Sequence, residues 1–140
     1  MSLMRKVLLA SSTSPWLREQ ATKRVFIRKS VSRFMPGETI DEALGAAKAL
    51  QPERITTILT RLGENLTKLD EAEEVTAHYI DVLDRVQRAS LDAQISVKPT
   101  QLGLDLDPVV CQRNLDRIVA HAERANNTPV WIDMRARSRD

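Results

Sequence analysis

The sequence predicts an α/β fold. It reads as the opening stretch of a parallel β/α barrel that stops before closure, an incomplete (β/α)8 arrangement of the TIM type. Extra helices precede the first strand, and about three parallel strands are present. Three observations predict this. From residue 55 onward, short apolar runs alternate with amphipathic helical stretches. Each strand-plus-helix step takes about 35 residues, the size of a crossover unit. The first run is β-branched and apolar, suited to a buried strand, and short loops with buried strands imply a parallel sheet with helices outside. A doubly wound sheet would share this pattern. No G-x-G-x-x-G follows the first strand, which counts against a dinucleotide-binding sheet, and a closed barrel needs more strands than are found.

The elements follow in order. Ser14 before Pro15 starts a helix, a hydroxyl cap followed by proline at the first helical position, and Trp16, Leu17, Ala21, Val25 and Phe26 carry it to about Lys29. Met35-Pro36-Gly37 breaks the chain. Thr39 with Glu42 forms a capping box for a short helix through Ala43, Leu44, Ala47 and Leu50. Ile55 to Leu62 is the first strand, and Gly63-Glu64-Asn65 turns the chain. Thr67 with Asp70 opens a helix whose apolar stripe is Val75, Tyr79, Val82, Leu83 and Val86. A second strand, Gln94 to Lys98, ends at Pro99. Asp107-Pro108 opens a helix with Cys111, Leu115, Ile118, Val119 and Ala122 on one side. Asn126-Asn127 suits a left-handed ending, and Pro129 to Met134 is a third strand.

These boundaries give a helical arm over residues 1–53, three strands and two helices over 54–134, and a tail over 135–140. The tail, Arg135-Ala136-Arg137-Ser138-Arg139-Asp140, offers nothing apolar to pack. It reads as aberrant or disordered, as a broken reading frame would leave it.

Composition excludes several classes. Apolar residues make up 42% of the 140 and charged residues 29%, which is ordinary globular usage and argues against disorder throughout. No apolar run approaches the roughly 20 residues of a membrane span, and the run Val7 to Ala10 is too short for a signal-peptide core. Cys111 is the only cysteine, so no disulfide forms within the chain and a reducing cytoplasm is the natural setting. It reads as a small buried hydrophobe. The net charge of +2 conceals an asymmetry. Residues 1–33 hold eight bases against Glu19, whereas residues 34–134 hold ten bases against seventeen acids. Such an arm can bind nucleic acid, an anionic membrane or an acidic partner, but a solvated helix face is the favoured reading. It lacks the interleaved aromatics that single-stranded nucleic acid uses.

Alternation across the strands selects the residues that can carry chemistry. If Ile95 and Val97 meet the helices, Gln94, Ser96 and Lys98 face the other way. Lys98 then points inward at the carboxyl end of its strand, where barrel active sites lie. Asp133 occupies the same end of the third strand, and Glu64 follows the first. One cation and two carboxylates would ring the mouth, although polar residues at strand ends are also common for solvation alone. His78 reads as partly exposed packing, His121 as solvent-facing, and Trp131 as packing.

At these residues a resemblance becomes specific. Ser14-Pro15-Trp16-Leu17-Arg18, residues 31–38 (VSRFMPGE), Leu62-Gly63-Glu64-Asn65, residues 95–104 (ISVKPTQLGL) and Trp131-Ile132-Asp133-Met134 occur in that order. The stretch from about Arg5 to Met134 resembles the monofunctional bacterial proline dehydrogenases. The resemblance implies a (β/α)8 barrel that binds FAD, oxidises L-proline to 1-pyrroline-5-carboxylate and passes electrons to a membrane quinone. It implies a cytoplasmic protein peripheral to the inner face of the membrane, with no nucleic-acid partner. Residue by residue, it implies that Lys98 meets the proline carboxylate, that Asp133 is a catalytic aspartate, that Met134 contacts the flavin, and that Glu64 is a rim residue that helps close the site. No metal is implied.

After Met134 the family continues with a small, acidic, hydroxyl-bearing stretch, and this chain does not. The later strands, with most flavin contacts, and the last helix, with an arginine pair for the carboxylate, have no counterpart here. These 140 residues alone are therefore expected neither to hold FAD tightly nor to oxidise proline, unless the missing barrel half is supplied in trans. The alternative is a non-enzymatic remnant, or an interaction module using the basic amino-terminal arm.

Overall fold

A computed structural model describes residues 39–63 and 66–134. The Ser14-Pro15 helix, the basic arm, Glu64 and the tail lie outside the described residues. The chain divides into two units, and the second, Ala43–Asp140, holds the three strands found among the described residues.

Helix α1, Ile40–Leu50, begins at the expected capping box. The Glu42 carboxylate accepts from the Thr39 amide at 3.1 Å, and the Glu42 amide donates to Thr39 Oγ1 at 3.3 Å. These bonds satisfy amides that a helix start leaves without partners. A 3-10 turn, Gln51–Glu53, ends at Arg54 in the left-handed region. Strand β1, Thr57–Thr60, leads to helix α2, Leu69–Arg88. Strand β2 is Ala93–Val97, and a second 3-10 turn, Pro99–Leu102, follows it. Helix α3, Pro108–Arg124, and strand β3, Val130–Ile132, complete the described chain.

The start of α2 differs from the expected Thr67–Asp70 box. Lys68 holds the cap position, and Glu71 rather than Asp70 reaches back. Its Oε2 accepts from the Thr67 amide at 2.6 Å and the Lys68 amide at 3.1 Å. A carboxylate one turn into the helix reaches the amides that precede it, whereas one at the second helical position does not. These bonds draw the Glu71 carboxyl below its usual pKa. The start of α3 is as expected: Asp107 Oδ1 accepts from the amides of Val109 at 2.9 Å and Val110 at 3.3 Å. Asn126 and Asn127 both have φ above +50°.

The three strands form one parallel sheet in the order β1-β2-β3. Both crossovers step the same way, so crossovers of one hand bring both helices to one face. There α2 packs along α3 and on β2. A doubly wound sheet would reverse direction and place helices on both faces. The described chain is thus α/β with barrel-type succession of its strands.

The core lies between this face and the helices. Ile95, Val97, Leu83, Leu102 and Ile118 are fully buried, and Tyr79 nearly so. Burying each such side chain contributes about 1.5–3 kcal/mol. The whole α2 stripe read from the sequence is buried. On α3 the outcome differs: Val119 is exposed, Leu115 is half-buried, and Asn114 is buried. Asn114 Nδ2 donates to the Leu102 carbonyl at 3.2 Å, holding the 3-10 turn against the helix. Gly103, which ends that turn, has φ +102°, a conformation that disfavours any side chain.

Candidate functional site at the carboxyl ends of the strands

The register fixes which side chains share a face. Ile95 pairs with Val130, Ser96 with Trp131, and Val97 with Ile132. Thr57, Ile58, Leu59 and Thr60 pair with Ala93, Gln94, Ile95 and Ser96. Paired residues of neighbouring strands point to the same side. Ala93, Ile95 and Val97 are buried under the helices, so Ile58, Thr60, Gln94, Ser96 and Trp131 belong to the helix-free face.

One step further along β2 and β3 stand Lys98 and Asp133. The Asp133 amide donates to the Val97 carbonyl at 2.9 Å, which carries the ladder to this point. Lys98 keeps extended backbone angles, φ −108° and ψ 125°. Alternation therefore places both at the carboxyl rim, on the helix-free side and in register, with backbones about 4.8 Å apart. Lys98 is half-buried and Asp133 exposed. Met134 follows Asp133 at the strand tip and is 70% exposed. Leu62, beyond β1, is exposed.

Other singled-out residues fall elsewhere. Cys111 is buried, with Sγ 3.4 Å from the Pro99 carbonyl oxygen, and burial raises its thiol pKa. His78 is half-buried on α2, edge-on to the Tyr79 ring, and burial lowers its pKa, with a smaller contribution from Arg61. His121 is not on the solvent side. Its Nε2 lies 2.7 Å from Asp84 Oδ1 across the α2–α3 seam, because Asp84 projects from α2 at the same level. Trp131 is 54% exposed rather than packed, and its indole N–H donates to Gln94 Oε1 at 2.6 Å. Among the described residues no group of three or more metal-ligating side chains is gathered.

A buried polar cluster beneath the rim has no counterpart in the sequence reading. Gln101 is 1% exposed. Its Nε2 donates to the Arg61 carbonyl at 2.8 Å and also to the Gly63 carbonyl. The Tyr79 hydroxyl accepts from the Arg61 amide at 3.1 Å and lies within donating distance of the Ser96 carbonyl, 2.9 Å, and Gln101 Oε1, 3.2 Å. The available signal was a lone glutamine between Pro99 and Leu102. Helical spacing marked Tyr79 only as apolar packing.

Fold and rim define a class: a parallel β/α segment carrying a cation and a carboxylate at adjacent strand tips, as barrel enzymes carry their polar groups. Nearly the whole chain is similar to bacterial proline dehydrogenases, as its motifs led us to expect. It is 29% identical over 132 residues to proline dehydrogenase 1 of Bacillus subtilis subsp. natto, covering 94% of this chain and 43% of that protein. It is 25% identical over 134 residues to proline dehydrogenase 2 of the same organism, covering 96% of the chain and 43% of the relative. It is 25% identical over 140 residues to the proline dehydrogenase of Deinococcus radiodurans, covering 98% and 44%. The chain thus spans less than half the length of these relatives. No family profile matches it.

Proposed function

We propose that the chain carries part of the substrate rim of an FAD-dependent enzyme that oxidises L-proline to 1-pyrroline-5-carboxylate. The reading rests above all on the placement of Lys98 and Asp133, in register at the tips of β2 and β3 on the helix-free side. Proline presents a carboxylate, and an ammonium forms a short, charge-assisted bond with such a group. Lys98 binds and orients the substrate carboxylate. Asp133 balances the lysine's charge and fixes its direction. To Glu64 we assign the role its family counterpart implies, a rim residue that helps close the site.

The described residues fit one edge of a flavin. Ile58 and Trp131 are exposed on the helix-free face, an apolar surface suited to a planar ring, and Met134 is exposed at the tip of β3. Met134 is the contact we assign. When bound, FAD supplies the hydride acceptor, while the protein supplies position and electrostatics. A quinone, reached at a membrane surface, takes the electrons onward. Among the described residues no helix is long and apolar enough to cross a membrane.

A parallel sheet of three strands has two open edges and an uncovered face. These 140 residues alone therefore neither hold FAD tightly nor oxidise proline, and the remaining strands must come from further chain or from a second polypeptide. The test combines the purified chain with a carboxyl-terminal fragment of a related enzyme, FAD and L-proline, and follows dye reduction. Activity that requires both pieces and disappears in Lys98→Met is the expected result. A flavin absorbance band in the isolated chain would refute the dependence on further strands, and full activity in Lys98→Met would refute the site.

A further inference from the structure

We infer that Gln101 is a positioning residue that locks the loop after β1 to the tip of β2 and so sets the geometry of the Lys98 rim. Its role at a substrate site rests on the function proposed above; the clamp itself does not. Gln101 sits three residues after Lys98, and its own amide donates to the Lys98 carbonyl at 2.9 Å. One residue therefore grips the backbone of the lysine and, through its side chain, the loop on the neighbouring strand.

A glutamine amide has two hydrogens, and here both are used, one on Arg61 and one on Gly63. These carbonyls belong to irregular backbone that no strand partner satisfies. Gly63, with φ +106°, turns the chain there. Tyr79 completes the cluster from α2 by accepting the Arg61 amide. Packing alone does not account for glutamine at a 1% exposed position, because leucine or methionine would fill the space without desolvating an amide. The requirement is for two donors and one acceptor in one plane, which glutamate, leucine and methionine lack. A buried network of this kind, in which the one Tyr79 hydroxyl hydrogen is shared between the Ser96 carbonyl and Gln101 Oε1, favours one arrangement of the segments it joins.

Residue-resolved amide exchange on the full 140-residue chain tests the clamp. In Gln101→Leu, protection of the Arg61 amide should fall tenfold or more relative to the amides of Leu83 and Ile118, which report the core. Gln101→Met serves as the second variant if Gln101→Leu does not fold, whereas Tyr79→Phe removes the acceptor of the Arg61 amide directly and calibrates the full loss of protection. Gln101→Glu separates positioning from space-filling. A carboxyl group in this buried place titrates above the usual ~4.3, and its protonated form regains one donor. Arg61 protection in Gln101→Glu should therefore recover on acidification, with no such recovery in Gln101→Leu. The clamp is overturned if the Arg61 amide is unprotected in the parent chain. Losses matched at Leu83 and Ile118, or Gln101→Glu following Gln101→Leu at every pH, overturn it as well. In the two-piece enzyme, Lys98 and Asp133 amide shifts that ignore L-proline would sink the substrate reading and leave the exchange result standing.

Discussion

The two faces of the sheet obey different rules. Under the helices, Ala93, Ile95 and Val97 are buried to 5% exposure or less. On the other side Ile58 and Trp131 are both 54% exposed, although they pair in register with neighbours on the same strand. β2 is apolar on the covered side and polar on the other, while Ile58 and Trp131 stay exposed because no helix covers their face. The covered face maintains the fold. The helix-free face leads to the rim with Lys98 and Asp133, and is where binding is to be sought.

The largest effect that should separate the faces is on stability. Ile95→Ala is expected to cost about 2–5 kcal/mol through lost transfer energy and a residual cavity, measured as a shift in urea midpoint. Ile58→Ala should cost less than about 1 kcal/mol, because little area leaves contact. Equal costs would break the comparison. Next comes Lys98→Met in the two-piece enzyme. Loss of a charge-assisted bond is worth about 1.5–3 kcal/mol, which corresponds to roughly 10- to 150-fold weaker L-proline binding by calorimetry, with unfolding of the chain itself nearly unchanged.

Asp107→Ala should cost about 1 kcal/mol in thermal or urea unfolding, since two amides at the start of α3 lose their acceptor. The smallest effect concerns His78. Its folded pKa lies below the ordinary 6.5, so the unfolded chain binds the proton more readily. This contribution to stability is therefore present above pH 6.5 and is lost as pH falls from there toward the folded value. In His78→Gln that part of the pH dependence should flatten, as read from urea midpoints across the range.

Much of the fold was legible because its signals are local. The stripe from Val75 to Val86 repeats at helical spacing, Asp107-Pro108 is a cap with proline behind it, and Asn126-Asn127 tolerate left-handed angles. Alternation within β2 also assigned its buried face correctly, with Ile95 and Val97 under the helices. The Glu71 cap was missed because several acids crowd one helix start, and only the backbone direction there selects among them. His121 was missed for a related reason: its partner Asp84 is 37 residues away on another helix.

By itself, then, the chain's order of residues determined the succession of strands and helices, the apolar stripes and the polar residues at strand tips, since each depends on neighbours within a turn or two. Tertiary structure decided that the Asp133 amide meets the Val97 carbonyl at the tips of β3 and β2, that Asn114 rather than Val119 is buried, and that Gln101 and Tyr79 meet beneath the rim. Those outcomes depend on strand pairing and on polar groups brought together from distant segments. Burial gives such groups their energetic weight, and burial exists only once the chain has closed around them.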